Sequence, residues 1–428
     1  MLYEAGRYGR QQTSRNMRPA RSVRLHEARL CRNPAHHEVG ARRREYYIEI
    51  AGMMKGMRKE FGIIRSKCTR GTMKAETKDI SMLERDILEW DIPEEVLAVL
   101  LKDRTTGRNL IWATDDYAGR GKGFAASDEI LIGQIIDKNN PVIRPRVDKD
   151  AEEQRKRVEN RAEVFTPPWI CNRQNNLVDA AWFAWKKPNS SPFNEEVPGG
   201  IRKEGEFAWK ASRRHIKFPK GKTWRDYVKA LRLEVSCGEA PYLTSRYDTV
   251  SGRVIPVDDR IGLLDRKLRV ITENIGTGDV QDWLYYAKRA VQSVYGFDWQ
   301  GDNVLLAREN VLYTVVESFN ADFLGESCSH AKWATKTLLE FAEIISWNIW
   351  QMDGIKCVVP MSCERNQAKK RTHQSMLDGT SETITTQCPG CKRNDIYNHS
   401  GDYCMVMDWQ SCPNPAPLRF VDLMGGNR

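Results

Sequence analysis

One short stretch of the chain combines residue types that could hold a small, charged ligand. The stretch Leu233–Val235, with apolar residues on both sides of Glu234, predicts a strand, and the small residues Ser236-Cys237-Gly238 that follow predict a tight turn. Small residues allow a ligand to approach the backbone, and a helix starting after the turn would favour carboxylate or phosphate groups. A strand-to-helix turn packed in a core has the same pattern, so the spacing alone leaves both interpretations open.

A second group of chemically active residues lies near the C-terminus. Cys388 and Cys391 form a C-x2-C pair, and His399 and Cys404 follow at spacings that could complete four ligands. Thiolate and imidazole suit Zn²⁺, so this segment predicts a structural zinc site. The spare candidate ligands are Cys363 and Cys412. The alternative is a surface loop with free thiols.

Two further segments could contribute to a ligand site with the stretch after Leu233. Thr166 precedes Pro167 and Pro168, which predicts a helix start because Thr caps helices and Pro suits the first turn. Asp353 follows a long apolar run and precedes a glycine. A carboxylate there could accept two hydrogen bonds from a diol, or it could shape a turn.

These segments together resemble the adenine-N6 group of DNA methyltransferases. The stretch Leu233–Leu243 is similar to their S-adenosylmethionine-binding motif, which begins with an acidic residue and Pro-Ala-Cys and ends in Gly-Pro-aromatic-Leu. The matching residues are Glu234, Cys237, Pro241, Tyr242 and Leu243. Val235 and Ala240 stand where the family usually has Pro and Gly, and the Ala240 methyl group is expected to crowd the cofactor.

The resemblance also implies roles for individual residues. Thr166 and Pro167 match a Phe-Thr-Pro-Pro stretch that helps to hold the methionine end of the cofactor in that family. Asp353 matches the acidic residue that takes the ribose hydroxyls. The cofactor-binding residues implied in this way are Thr166, Pro167, Glu234, Cys237, Gly238, Pro241 and Asp353.

The segments Lys102–Tyr117, Leu263–Val270 and Gln300–Leu312 extend the resemblance over residues 80–425, where the chain is similar to the modification (methylase) subunits of bacterial restriction–modification systems. This resemblance implies S-adenosylmethionine as the cofactor, methyl transfer to adenine N6, and DNA as a partner. The family's catalytic turn, Asp/Asn-Pro-Pro-Tyr/Phe, does not occur after Asp353. The catalytic residues are therefore unknown, and we expect a partner restriction, specificity or catalytic subunit to complete the base pocket, unless the chain is a truncated or inactive relative.

Two other classes of function fit parts of the sequence. Asp258, Asp259, Asp265 and Lys267 offer carboxylates and a lysine that could hold a divalent metal beside a phosphodiester, as in a metal-dependent restriction nuclease. The residues around Asp265 also have a helical pattern, which argues against that geometry. The third class is a non-catalytic DNA-binding or partner-docking subunit, because thirteen Trp and fourteen Tyr could provide stacking surfaces.

The elements that must position these residues alternate between helices and short strands. Helices are predicted at Trp224–Leu231, Leu263–Asn274, Trp283–Tyr295, Val304–Phe319 and Lys332–Ser346, and a strand at Arg232–Ser236. We therefore expect an α/β fold, and the resemblance makes it a Rossmann-like S-adenosylmethionine-dependent methyltransferase core. The expected domains are an Arg-rich segment 1–52, a helical N-terminal lobe 53–159, a cofactor-binding domain 160–360 with a helical insertion, and a Cys-rich C-terminal element 361–428.

Composition limits the environment of the protein. The chain has 428 residues, 40% of them hydrophobic, and its net charge is +10, of which residues 1–45 carry +7 through eleven Arg and four Glu. This segment is predicted to be disordered or untranslated, with translation beginning near Met53. The sequence predicts neither a membrane span nor a secretion signal. Eleven cysteines in such a chain favour reduced thiols or a metal site, so we expect a cytoplasmic protein.

Overall fold

The computed structural model describes residues 2–3, 92–136, 142–149, 155, 157, 166–185, 191–197, 207–324, 333–368, 387–411 and 414–424. The Arg-rich segment 1–52, apart from residues 2–3, lies outside this set, as do the start expected near Met53 and the spare ligand Cys412. The fold is mixed α/β, with a small sheet that is mostly parallel and a Cys/His cluster near the C-terminus.

The strands are short and the helices between them are longer. The strands are β1 Leu2–Tyr3, β2 Asn194–Glu196, β3 Trp209–Ala211, β4 Arg232–Val235, β5 Val294–Asp298, β6 Ile349–Gln351, β7 Met405–Asp408 and β8 Ala416–Arg419. The helices are α1 Glu94–Leu100, α2 Ile132–Ile135, α3 Pro168–Phe183, α4 Trp224–Val228, α5 Leu263–Ile275, α6 Val280–Val291, α7 Gly301–Leu324, α8 Thr335–Asn348, α9 Pro389–Arg393 and α10 Phe420–Met424. Within the described residues, no helix has both the length and the apolar character needed to cross a membrane.

The main sheet brings three strand ends to one edge. Its order is β1-β4-β5-β6, with β4, β5 and β6 parallel and β1 antiparallel to β4. Parallel neighbours need crossover connections, which α5 and α6 provide between β4 and β5, and α7 and α8 between β5 and β6. The carboxyl ends of β4, β5 and β6 therefore lie side by side, at the edge where open α/β sheets bind ligands.

The helices predicted from apolar spacing are present with shifted ends, and their apolar faces form one core. The predicted helix Trp283–Tyr295 was too long, because the helix ends at Val291 and Tyr295 belongs to β5. Helix α6 has a side-chain cap at its start, where Asp279 accepts the N–H groups of Gln281 and Asp282 at 3.0 Å. The main core contains residues from α1, α4, α5, α6, α7 and α8 together with strand residues such as Val294 and Ile349. The helices that connect the parallel strands therefore pack against the sheet.

A buried ion network fixes helix α3 to the sheet. Asp179 on α3 pairs with Arg266 on α5 at 2.6 Å and with Arg232 on β4 at 3.6 Å, and it accepts the Tyr227 hydroxyl at 2.9 Å. Removing one partner of such a buried network leaves an uncompensated charge, which costs about 3–5 kcal/mol. The network holds α3, whose N-terminus carries Thr166, in a fixed position relative to β4.

The C-terminal segment packs directly on the sheet. Phe420 from α10 contacts Phe297 on β5 and Trp350 on β6, with ring centroids 5.7 and 5.2 Å away. The Tyr295 hydroxyl donates to the Met407 carbonyl at 2.9 Å, which links β5 to the β7–β8 hairpin. The Cys-rich element therefore lies beside the strands that carry the candidate ligand residues.

Candidate cofactor and metal sites

The turn after strand β4, residues 236–241, has an unusual backbone. Ser236, Gly238 and Ala240 all have positive φ angles, of 52°, 52° and 63°. For a residue other than glycine this conformation costs about 1–3 kcal/mol and persists only where the surroundings enforce it. Two such residues within five positions make this strand end a strong candidate for a functional site.

Glu234 supports the β4 turn from beneath. Its carboxylate oxygens accept the backbone N–H groups of Tyr242 and Leu243 at 3.3 and 3.2 Å. The side chain is buried, and burial raises the pKa of Glu234 to about 8. Cys237 is buried as well, against Gly296 on β5, and burial raises its pKa well above the ordinary value. Both residues therefore shape the turn and do not present a reactive group.

Gly238 lies next to both open space and the carboxylate of Asp298. A Cβ atom built on Gly238 would have no neighbour within 4 Å. The Gly238 N–H donates to Asp298 Oδ2 at 2.9 Å, and Asp298 Oδ1 accepts the N–H of Gln300 at 3.0 Å. Burial raises the pKa of Asp298, and its Oδ2 can accept a further hydrogen bond. The end of β5 thus offers acceptors beside the open face of the β4 turn.

Trp299 adds an exposed ring to this surface, and Asn303 lies beneath it. The Trp299 ring is 37% exposed, and its Nε1 donates to the Ala113 carbonyl at 2.9 Å, which fixes its orientation. Asn303 is buried in the first turns of α7, with Nδ2 3.5 Å from Asp298 Oδ1, so it supports the carboxylate from the interior. The fixed, exposed Trp299 ring can stack on a base.

Thr166 and Pro167 lie against the chain that follows the β4 turn. The predicted helix start is confirmed, with Pro168 as the first helical residue of α3, but the N-cap residue is Pro167 and not the predicted Thr166. The Thr166 carbonyl accepts the Thr249 hydroxyl at 3.2 Å, and Tyr242 makes a side-chain hydrogen bond to Thr166. The structure therefore brings the two methyltransferase-like motifs together, although 68 residues separate Thr166 from the start of the second motif.

Asp353 lies one strand farther along the sheet edge, after β6. Its Oδ1 accepts the N–H groups of Ile355 and Lys356 at 3.0 and 3.1 Å, and its carboxylate pairs with the Lys356 ammonium at 3.2 Å. The side chain thus shapes a turn, residues 353–357, which we call the Asp353 turn. Asp298, which sequence reasoning missed, ends the strand next to β4 and lies closer to Gly238.

The helix expected directly after the β4 turn is not there. The chain continues through turns, and the next α-helix begins at Leu263, whose N–H donates to the Tyr242 carbonyl at 2.9 Å. The reason is that Ser245 closes the segment onto the start of α5: its hydroxyl donates to Asp265 Oδ2 at 2.9 Å and accepts the Ile261 N–H at 2.7 Å. The β4 turn therefore has no helix N-terminus of its own. Ala240 points into the core, so its methyl group does not occupy the open space.

The residues of the nuclease alternative have separate partners. Asp258 and Asp259 pair with the exposed Arg213 at 2.8 and 3.2 Å. Asp265 is buried at the start of α5, and Lys267 is buried with its ammonium donating to backbone carbonyls and a serine hydroxyl. Burial lowers the pKa of Lys267 well below its ordinary value. These side chains are engaged in supporting the fold.

Four ligand atoms converge in the C-terminal segment. The sulfurs of Cys363, Cys388 and Cys391 and a ring nitrogen of His399 all lie within 4.8 Å of one another. His399 Nδ1 is 3.7, 3.7 and 3.6 Å from the three sulfurs in that order. Tetrahedral Zn²⁺ with its usual bond lengths separates sulfur and nitrogen ligands by about 3.6 Å. The arrangement therefore fits a tetrahedral metal ion.

The fourth ligand position is filled by Cys363, and the expectation of Cys404 is corrected. Cys404 is fully buried, and its sulfur contacts the Gln351 carbonyl at 3.4 Å. Its backbone N–H donates to Cys357 at 3.1 Å, so the side chain faces the core between β6 and the C-terminal segment. Cys363, a spare candidate in the sequence, comes from the chain after the Asp353 turn.

Local backbone geometry prepares the metal centre. Cys388 is the N-cap of α9, and its sulfur accepts the Ser400 N–H at 3.1 Å. Although burial alone would raise it, this N–H group and that of Cys391 lower the pKa of Cys388 to about 5. Burial raises the pKa of Cys363 to about 12. Three thiolates need a compensating cation, which a divalent metal supplies.

Gly390 lies between Cys388 and Cys391, the C-x2-C pair, which we call the knuckle, and no larger residue would fit there. A Cβ at this position would lie 2.7 Å from both the backbone nitrogen and Nδ1 of His399. The Gly390 N–H donates to the Asn398 carbonyl at 2.9 Å, which brings the His399 segment over the knuckle. The C-x2-C pair and the histidine therefore approach more closely than any side chain would permit.

No family model, curated protein or solved structure matches the chain. The assignment of the metal centre therefore rests on the geometry of its four ligand atoms. The methyltransferase resemblance stands on short motifs and on the strand-end arrangement around Gly238 and Asp298.

Proposed function

We propose that the chain is an S-adenosylmethionine-binding subunit related to adenine-N6 DNA methyltransferases. The supporting observation is the open space at Gly238, bordered by the Asp298 carboxylate at the ends of two parallel strands. A Rossmann-like core places its cofactor at this edge. The three parallel strands with helical crossovers are the part of that fold that supports the proposal.

Each part of the strand-end surface suits one part of the proposed cofactor. The Asp298 carboxylate can accept hydrogen bonds from the ribose hydroxyls, and the Trp299 ring can stack on the adenine. The Gly238 backbone allows close approach, while Thr166 borders the far side of the β4 turn through Tyr242. When bound, S-adenosylmethionine would supply an activated methyl group. We assign Asp353 to the wall of this site, since its carboxylate holds its own turn.

The base pocket is proposed to come from a partner subunit. Transfer to adenine N6 requires a flipped base held by hydrogen-bond acceptors and an aromatic ring. The sequence after Asp353 lacks the tetrapeptide that does this in the related enzymes. We therefore propose DNA and a second, catalytic or specificity subunit as partners. A non-catalytic docking subunit is the function that follows if the cofactor does not bind.

The Cys/His centre is proposed to bind Zn²⁺ in a structural role. Four protein ligands leave no open coordination position, which is typical of structural and not of catalytic zinc. The ligands come from both sides of a long connection, Cys363 before it and Cys388, Cys391 and His399 after it. A bound ion would therefore hold the C-terminal segment closed on itself.

Equilibrium binding of labelled S-adenosylmethionine to the full chain tests the proposed function. We expect micromolar binding that Asp298→Asn weakens by about ten- to a hundredfold, the value of one or two charge-assisted hydrogen bonds. Asp353→Asn should weaken binding by only a few-fold, because that carboxylate faces its own turn. Absence of binding to the folded protein would contradict the proposal, and a larger effect of Asp353→Asn would move the ribose site to β6.

A further inference from the structure

The metal centre is connected to the end of strand β6 through the backbone. The chain after β6 folds back, so that Asp353 pairs with Val358, and Val358 pairs in turn with Tyr403. The Asp353 N–H donates to the Val358 carbonyl at 2.8 Å. The segment that ends in Cys363 is therefore bonded on one side to the strand end and on the other to the segment that carries His399.

Tyr403 joins this fold-back to a metal ligand. Its hydroxyl accepts the backbone N–H of His399 at 2.8 Å and donates to a nearby backbone carbonyl at 2.8 Å. Ser362, the residue before the ligand Cys363, accepts the Asp402 N–H at 3.0 Å. Hydrogen bonds thus link the segment that carries Cys363 to the segment that carries His399, in addition to any bond through the metal.

The fold-back also contacts the neighbouring strand end. A Cβ built on Gly354 would lie 2.9 Å from the Phe297 ring, so the Asp353 turn packs closely on β5. The Met352 N–H donates to the Asp298 carbonyl at 2.9 Å. The Asp353 turn therefore packs beside the carboxyl end of β5, the strand that carries Asp298.

We infer that the metal centre positions the Asp353 turn, so that metal occupancy controls the affinity of the strand-end site for its cofactor. Metal–ligand bonds would hold residues 353–363 against residues 388–404. Without the ion, the entropy of the long connection is offset only by hydrogen bonds and by the apolar contacts of Cys357 and Val359 with the C-terminal segment. The part of the inference that concerns affinity rests on the proposed function. Coupling between two sites of this kind is typically about tenfold, and it is reciprocal.

Hydrogen exchange of the full chain tests the positioning by itself. The protein is measured as zinc-loaded, chelator-treated and zinc-restored samples. We expect the amides of Asp353, Cys357 and Val359 to lose protection without the metal and to regain it with zinc. The amides of Cys237 on the β4 turn and Trp283 on α6 are internal references and should not change. Unchanged protection around Asp353 would overturn the inference, whatever the cofactor does.

Cofactor affinity in the same three samples tests the coupling. We expect S-adenosylmethionine to bind about tenfold more weakly without zinc, with full recovery on restoration. Cys363→Ser should weaken S-adenosylmethionine binding as zinc removal does, and Cys404→Ala should not, because Cys363 is a metal ligand and Cys404 is not. Equal affinity with and without zinc would overturn the inference and leave the proposed function intact. No binding to the zinc-loaded, folded protein would instead overturn the proposed function, and the exchange measurement would still decide whether the metal positions the turn.

Discussion

The β4 turn and the metal centre differ in how their polar groups are satisfied. Around the β4 turn, the carboxylates of Glu234 on β4 and Asp298 on β5 accept N–H groups of the protein itself. In the metal centre the thiols of Cys363 and Cys391 and the ring of His399 face one another around a common point. The first arrangement is nearly complete without a ligand, whereas the second needs a cation. We therefore expect the strand-end site to be preformed and the metal centre to form together with its ion.

The largest effect should come from removing one metal ligand. Cys363→Ser is expected to lose stoichiometric zinc and to destabilise the C-terminal segment, since structural zinc contributes on the order of 10 kcal/mol to the folding of small domains. Metal analysis and thermal unfolding measure both effects. The matched variant is Cys404→Ala, which should keep its zinc and lose about 1 kcal/mol from a small cavity. Zinc retained by Cys363→Ser and lost by Cys404→Ala would contradict the assigned ligand set.

Zinc affinity should rise steeply with pH. Burial raises the pKa of Cys363 to about 12 and raises that of Cys391, so both are thiols at neutral pH, whereas the pKa of Cys388 is about 5 and it is already a thiolate. Zinc binding must therefore release the protons of two cysteines, and affinity should rise about a hundredfold per pH unit near neutrality. Calorimetry in buffers of different ionisation enthalpy counts these protons. Release of no proton from cysteine would contradict the arrangement.

Adding a methyl group at Gly238, and at Gly276 as a control, should distinguish the effect of blocking the ligand site from the effect of backbone strain. Gly238→Ala and Gly276→Ala both place a side chain at positive φ in open space, so each should cost about 1–3 kcal/mol of stability, with the larger cost at Gly276, whose φ of 71° and ψ of −168° only glycine readily adopts. Gly276 ends α5, away from the strand ends. Only Gly238→Ala should weaken S-adenosylmethionine binding, by about tenfold. Equal binding by the two variants would place the cofactor elsewhere.

The last effect concerns the pH dependence of stability. Burial raises the folded-state pKa of Glu234 to about 8, from 4.5, so its contribution is present below pH 4.5 and is lost as the pH rises towards 8. Glu234→Gln should remove this loss and change the difference in unfolding free energy from the native chain by several kcal/mol across that window, since each pKa unit corresponds to about 1.4 kcal/mol. Urea unfolding from pH 5 to 9 measures it. Glu195→Gln, at an exposed position, is the control and should leave the pH profile unchanged.

The two regions also differ in how far the sequence predicts them. Helices and strand β4 follow from local spacing, and the β4 turn was found because its residues are consecutive. Asp298 was missed, although an apolar strand that ends in Asp at a helix start is a visible signal. Cys363 was only a spare candidate, because no local pattern links it to a knuckle 25 residues away. The fold-back after β6 makes that link, and long-range pairing of this kind leaves no periodic trace.

The most direct test of the strand-end site is hydrogen exchange of the zinc-loaded full chain with and without S-adenosylmethionine. The structure leads us to expect added protection in residues 236–243 and 298–303, since these border the open space at Gly238 and the Asp298 carboxylate. Residues 388–404 should change little, because zinc already orders them. Binding without protection at either strand end, or protection confined to the C-terminal segment, would contradict the assignment of the cofactor site.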